Sequence, residues 1–223
     1  VLITHMMNWT GQVIPAREIA AEARKRNILS IIDGAQSFAQ RDYRVSELGA
    51  DFYGTSLHKW LCAPLGTGML HVRKDRIADL WPLFPGSDPR SDNIRKFENL
   101  GTRSMAVKHA IGTAIDFHHT IGIARKQARL HYLKNYWVDQ IKDESRIRIW
   151  TPQHAQFSGA IATVSIEGVT GVKLNRRLLT DYAIHTSRVT HEGIDGVRIA
   201  PHIYTNTYEL DVLVDRLRKI ATG

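Results

Sequence analysis

Apolar positions along the chain change their spacing several times, and each change marks an expected element. From Ala16 to Arg26, Ile19, Ala20 and Ala23 fall on one face of a helix, with Pro15 suited to its first turn and Asn27 to its end. The run Ile28-Leu29-Ser30-Ile31-Ile32-Asp33 is short, β-branched and apolar, the pattern of a strand buried on both faces of a parallel sheet. Asp51 to Ser56 and Thr67 to Val72 read as two further strands. Strand, helix, strand in this order predicts an α/β layer architecture with right-handed crossovers.

The pattern becomes helical from Ser104 to Phe117 and from Ile121 to Ile141. Beyond Glu144 strands are expected at Arg146 to Trp150, Ala160 to Ile166, Ile184 to Val189 and Val197 to Ala200, with a helix from Leu174 to Tyr182. Asn206 and Glu209 have capping-box spacing, and Leu210, Leu213, Val214, Leu217 and Ile220 line one face of the helix that follows. The expected organisation is the remainder of a large α/β domain with a mainly parallel sheet over residues 1–120. A connecting helix and a small α+β domain then occupy 121–223. No internal repeat or low-complexity segment interrupts it.

Length and composition narrow the class. The 223 residues are 43% hydrophobic and 23% charged, enough for a sizeable core. A single cysteine excludes a disulfide scaffold, so a reducing compartment such as the cytoplasm is the expectation. No run approaches the ~18 apolar residues of a membrane span, and the opening Val1-Leu2-Ile3-Thr4 lacks the basic, apolar and cleavage regions of a signal peptide. That opening lacks an initiator Met and begins in a strand-like run, so the chain is expected to be part of something longer. Thirty Lys and Arg against 22 Asp and Glu give +8, but the basic residues sit on separate amphipathic stretches without aromatic interleaving. Solvated helix faces, not nucleic-acid binding, are the expectation. The eleven histidines lack a supporting Cys or carboxylate pattern, so no metal site is expected. A Gly-x-Ser-x-Gly elbow is absent as well.

The chemistry concentrates in two segments, Asp33-Gly34-Ala35-Gln36-Ser37 and Gly54-Thr55-Ser56-Leu57-His58-Lys59-Trp60. Asp33 ends an apolar strand, the place where open α/β sheets bind ligands. Lys59 follows the next strand and would reach the same crevice. An acid and a lysine at neighbouring strand ends are what a pyridoxal phosphate site requires: the lysine forms a Schiff base, and the carboxylate keeps the pyridine nitrogen protonated. Lys59 alone would be an ordinary solvated lysine; the company of Asp33 and His58 changes that.

With Ile3 to Gly11, Phe97 to Arg103 and Val197 to His202, these segments resemble the class V aminotransferases of pyridoxal-phosphate fold type I, in the isopenicillin-N-epimerase-like branch. The resemblance covers essentially the whole chain, and it implies the fold and the following roles. Lys59 matches the lysine that holds the cofactor and shuttles protons, and Asp33 the partner of the pyridinium nitrogen. Gln36 matches the donor to the phenolic oxygen, and Ser56 and His58 match phosphate ligands. Asn8 matches a polar residue near the ring and the substrate carboxylate. Thr102 matches a phosphate contact given across a homodimer interface, although it equally suits a cap for the next helix. Arg198 matches the clamp on the substrate carboxylate; between Val197 and Ile199 it also suits the exposed position of an edge strand.

The expected activity is therefore a pyridoxal-phosphate-dependent reaction at the α-carbon of an amino acid, a small-molecule substrate, with transamination ahead of epimerisation and of C–S or C–N lysis. A truncated, non-catalytic dimerisation piece is the alternative of a different class. Two departures from the family bear on this. Its upstream phosphate loop and ring-stacking residue match nothing in residues 1–223, so this chain alone is expected to bind cofactor poorly. Related desulfurases carry a nucleophilic cysteine on a small-domain loop, whereas His185 to Gly196 contains none, which argues against persulfide chemistry. Cys62 is expected to be buried and inert, His5 to be a core residue, and Trp60, Trp81 and Phe84 to serve packing.

Overall fold

The computed structural model describes residues 1–84, 86, 88–99 and 101–223, so Leu100 of the Phe97 to Arg103 motif lies outside the described residues. The chain divides into two compact units. The first comprises Val1–His5, Ile14–Ala39 and Tyr43–Thr120; the second comprises Met6–Val13, Gln40–Asp42 and Ile121–Gly223.

In the first unit, β1 (Leu2–Thr4), β2 (Ile31–Asp33), β3 (Phe52–Ser56) and β4 (Gly68–Val72) form a sheet in that order. β1, β2 and β3 are parallel and β4 is antiparallel to β3. Register places Ile3, Ile32 and Tyr53 side by side, and these pack with Ala16 and Ala20 of α1 (Ala16–Lys25). Because side chains alternate across a strand, Leu2 and Ile31 fall on the other face, where both are exposed. The expectation of a strand buried on both faces therefore fails within this chain. The strand is also shorter than expected, since Ile28 and Leu29 precede its ladder and are about half exposed.

The opposite ends of these strands are tied by ions. Asp51, buried just before β3, accepts hydrogen bonds from Ser30 N–H at 2.9 Å and Ser30 Oγ at 3.2 Å. It also pairs with Arg73 at 2.9 Å and Arg76 at 3.1 Å. The unit's last segment is α2 (Met105–Ile121) as far as Thr120; the second unit contains Gly122, at φ +81°, and α3 (Ile123–Ile141).

The second unit is built on a four-stranded antiparallel sheet in the order β5 (Ile147–Ile149), β6 (Ala162–Ile166), β8 (Ile194–Ile199), β7 (Ser187–His191). One face of it buries Val164, Ile166, Val197 and Ile199 with Leu133, Trp137 and Ile141 of α3, Leu174 and Leu178 of α4 (Gly171–Tyr182), and Leu213 and Leu217 of α5 (Thr207–Thr222). Met6–Val13 belongs to this unit because Val13 N–H donates to Phe157 O at 2.9 Å, Thr151 Oγ to Thr10 O at 2.6 Å, and Thr163 Oγ to Trp9 O. No described helix is long and apolar enough to cross a membrane.

The stretch from His185 to Gly196, where a strand is expected only as far as Val189, is mostly a hairpin. β7 and β8 turn through Glu192 and Gly193, whose φ values are +49° and +76°, the pair of left-handed residues that a tight two-residue turn demands. The capping box at Asn206 is complete: Asn206 Oδ1 accepts from Glu209 N–H at 2.9 Å, and Glu209 accepts from Asn206 N–H at 2.8 Å. Asn206→Ala is expected to cost about 1 kcal/mol, read as a lower urea midpoint; an unchanged midpoint would show the cap to be dispensable.

Candidate functional site

The C-terminal ends of β2 and β3 bring the two chemical segments together. Asp33 is the last residue of β2, paired with Thr4 on one side and Gly54 on the other. Its carboxylate is exposed, and Oδ1 accepts the N–H of Ala35 at 2.9 Å, which orients it. Gly34 closes the turn: its N–H donates to Gly54 O at 2.8 Å, and its carbonyl accepts from Thr55 Oγ at 3.2 Å.

Below Gly34 lies a chain of hydroxyls. Tyr53 Oη and Tyr43 Oη are 2.7 Å apart, and Ser37 Oγ is 2.9 Å from Tyr43 Oη. Burial, then the neighbouring Tyr43, push the Tyr53 phenol well above its ordinary pKa, so it stays neutral. A Cβ at Gly34 would overlap the Tyr53 ring, with Cε2 only 2.6 Å away. Glycine is required there for space, not for backbone freedom.

Beyond β3, buried Leu57, Trp60, Leu61 and Ala63 anchor the turn that carries His58 and Lys59. Leu57 N–H donates to Thr67 O at 3.0 Å, Cys62 N–H to Lys59 O at 3.2 Å, and Ala63 N–H to Leu57 O at 3.1 Å. Both His58 and Lys59 are half-buried, as is Ser56 at the end of β3. His58 Nδ1 lies 3.3 Å from Thr67 O; a carbonyl only accepts, so Nδ1 carries the proton in that bond. Cys62 is exposed, not buried. It takes a left-handed conformation at φ +63°, and the turn directs its side chain outward between buried Leu61 and Ala63.

Gln36 meets Trp60. The indole N–H donates to Gln36 Oε1 at 3.0 Å. No periodicity or spacing in the sequence signals this bond, which joins two segments 24 residues apart.

The remaining predicted residues are placed elsewhere. Thr102 is exposed and precedes α2 by three residues. Asn8 and Arg198 belong to the second unit and touch: Arg198 Nη1 donates to the Asn8 carbonyl at 2.9 Å, and Nη2 to Ser187 Oγ at 3.1 Å. Arg198 is not on an edge strand. β8 lies between β6 and β7, with Arg198 opposite Thr163 and Ser187. Its Nε is buried without a hydrogen-bond partner, and burial lowers its pKa from the usual arginine value. A buried, unmatched donor on a permanent cation is suited to an anionic oxygen.

One cleft of about 620 Å³, lined by Arg146, Arg148, Trp150, Ser165, Glu167 and Asp195 among others, contains none of the predicted site residues.

A family model described as aminotransferase class-V matches residues 1–212. The chain belongs to the class V aminotransferases. It is 29% identical to the isopenicillin N epimerase of Amycolatopsis lactamdurans, over 98% of this chain and 59% of that protein. It is 28% identical to a probable cysteine desulfurase of Halobacterium salinarum, over 97% of this chain and 56% of that protein. Among solved structures, the apo cysteine desulfurase of Thermococcus onnurineus NA1 superposes with a TM-score of 0.90 at 21% identity, covering 100% of this chain and 60% of that one. The fold is that of pyridoxal-phosphate fold type I enzymes. The class V chain thus spans somewhat under two thirds of the relatives it matches.

Pyridoxal 5′-phosphate is the cofactor this membership brings. The strand ends suit it: an exposed oriented carboxylate for a pyridinium N–H, an amide for a phenolic oxygen, a hydroxyl and an imidazole for phosphate, and a lysine.

Proposed function

We propose that the protein is a pyridoxal-phosphate enzyme acting at the α-carbon of an amino acid, and that its reaction is a transamination. The observation that carries this reading is the placement of Asp33 and Lys59 at the C-terminal ends of two adjacent parallel strands, the first with its carboxylate already oriented. The cofactor, when bound, draws electrons from the bonds at the α-carbon. Asp33 holds a proton on the pyridine nitrogen. Lys59 links to the cofactor and carries the α-proton on one face. Gln36 donates to the phenolic oxygen, and Ser56 and His58 hold phosphate, with Thr102 a further phosphate contact given between subunits of a homodimer. With Nδ1 of His58 directed to Thr67 O, its Nε2 is the ring nitrogen left to face phosphate. Arg198 takes the substrate carboxylate, steadied by Ser187 and the Asn8 carbonyl, beside which the Asn8 side chain adds a polar contact.

Epimerisation is the second reading, favoured by the likeness to an isopenicillin N epimerase. It requires a proton donor on each face of the reacting carbon, within about 3.2 Å or through one water, and the residues above supply one face through Lys59. Desulfuration has less support, since the chain's one cysteine is Cys62 and none lies between His185 and Gly196.

Borohydride reduces only an imine, so treatment of the full-length holoprotein is expected to fix the cofactor to the Ser56 to Trp60 peptide at Lys59. Label on a different lysine, or none, overturns the reading, and no label at all favours a non-catalytic role. Keto acid formed from L-amino acids in deuterium oxide supports transamination; a deuterated, racemised amino acid without keto acid would replace it with epimerisation.

A further inference from the structure

An indole N–H is a donor and nothing else, whereas the two ends of a glutamine amide are a donor and an acceptor. The amide atom 3.0 Å from Trp60 Nε1 is therefore the oxygen of Gln36. That choice settles the orientation of the whole planar group: the end that Gln36 can present to any other acceptor is its NH2. Trp60 is only 5% exposed and follows Lys59 directly, while Gln36 lies three residues beyond Asp33. The bond thus joins the segment bearing the acid to the segment bearing the lysine.

We infer that Trp60 is a positioning residue, which holds the Gln36 amide so that its NH2 faces the phenolic oxygen of the cofactor. The inference rests on the proposed function, in which that oxygen lies beside Gln36. Without the indole donor, the amide can turn by 180° and present oxygen to oxygen, which is repulsive when the phenol is ionised. A donor to an ionised phenolic oxygen withdraws charge from it and so weakens its hold on the proton shared with the lysine-linked nitrogen. The quantity that reports the amide's orientation is the pH midpoint of the visible absorption band of the lysine-bound cofactor.

The test uses the full-length holoprotein and its Trp60→Phe, Gln36→Leu and doubly substituted forms. Gln36→Leu is expected to raise the midpoint by about one pH unit, the size of shift that loss of a hydrogen bond to a charged oxygen produces. Trp60→Phe keeps an aromatic ring and removes the N–H, and it is expected to raise the midpoint by at least half as much. In the double variant Trp60→Phe adds nothing, because the group it orients is gone. A wild-type midpoint in Trp60→Phe, an equal Trp60→Phe effect with and without Gln36, or no effect of Gln36→Leu would each overturn the inference. Should Trp60→Phe fail to fold, hydrogen exchange of the Trp60 indole N–H decides. Protection in the wild-type holoprotein that is lost in Gln36→Leu supports the bond; an unprotected indole N–H refutes it. Absence of a lysine-linked band in the wild type defeats the proposed function itself, and is seen before any Trp60 variant is made.

Discussion

Gly34→Ala is expected to destabilise the protein by about 3 kcal/mol, the upper part of the range for an overpacked core. The added Cβ has no route of escape. It meets the ring of Tyr53, which is 1% exposed and packed with Ile3, Ile32 and Ala20. Moving that ring breaks its hydroxyl bond to Tyr43 and shifts the end of β3; moving residue 34 instead pulls Asp33 from its place beside Gly54. For a chain of this size the loss corresponds to a drop of roughly 6–12 °C in melting temperature. Cofactor retention should fall with it, because Asp33 sits on the displaced turn. Tyr53→Phe in the same background should restore only part of the loss, since the ring carbons still overlap. A Gly34→Ala protein that melts with the wild type would show that Tyr53 yields at little cost.

Asp51→Ala is expected to cost about 3 kcal/mol as well, at the low end for a broken buried ion pair. Arg73 and Arg76 keep partial access to water (their side chains are 27% and 34% exposed), which limits the penalty. The Ser30 N–H and hydroxyl have no such relief, as Ser30 is 2% exposed. The same group imposes a pH dependence. Burial alone would raise the Asp51 pKa, but the Ser30 N–H, Arg76 and Arg73 outweigh it and hold the carboxyl below its ordinary value. A carboxyl whose pKa is depressed on folding adds stability above the unfolded-state value of about 4, and that stability is lost as pH falls through the folded-state value. Urea midpoints measured downward from pH 5 should therefore fall more steeply in the wild type than in Asp51→Asn. Parallel slopes would show that Asp51 is not the group responsible.

Much of the local structure was legible because it is written locally. The face of Ile19, Ala20 and Ala23 specifies α1, and Asn27, at φ +55°, ends it. The Asn206 and Glu209 spacing specifies the start of α5, and its five apolar positions are all buried. The positions of Asp33 and Lys59 could be anticipated for the same reason: each follows an apolar strand, and parallel strands align their C-terminal ends. Strand pattern alone left Arg198 ambiguous, since the alternation of Val197, Arg198 and Ile199 reads alike on an inner and an edge strand. The order of the sheet resolves it.

What the sequence determined by itself is the succession of elements, the class of fold and the residues able to do chemistry, because periodicity, caps and strand ends depend on neighbours within a few positions. Only the tertiary structure decided which of those residues act on one another. The Trp60 bond to Gln36, the hydroxyls of Tyr43 and Tyr53 beneath Gly34, and the Asp51 clamp on Ser30, Arg73 and Arg76 each join positions separated by 10 to 25 residues. The exposure of Cys62 depends likewise on how its turn packs. A donor and its acceptor that distant in sequence leave no periodic trace. They are matched by the register of β2 and β3 and by the packing of buried rings, which no single segment encodes.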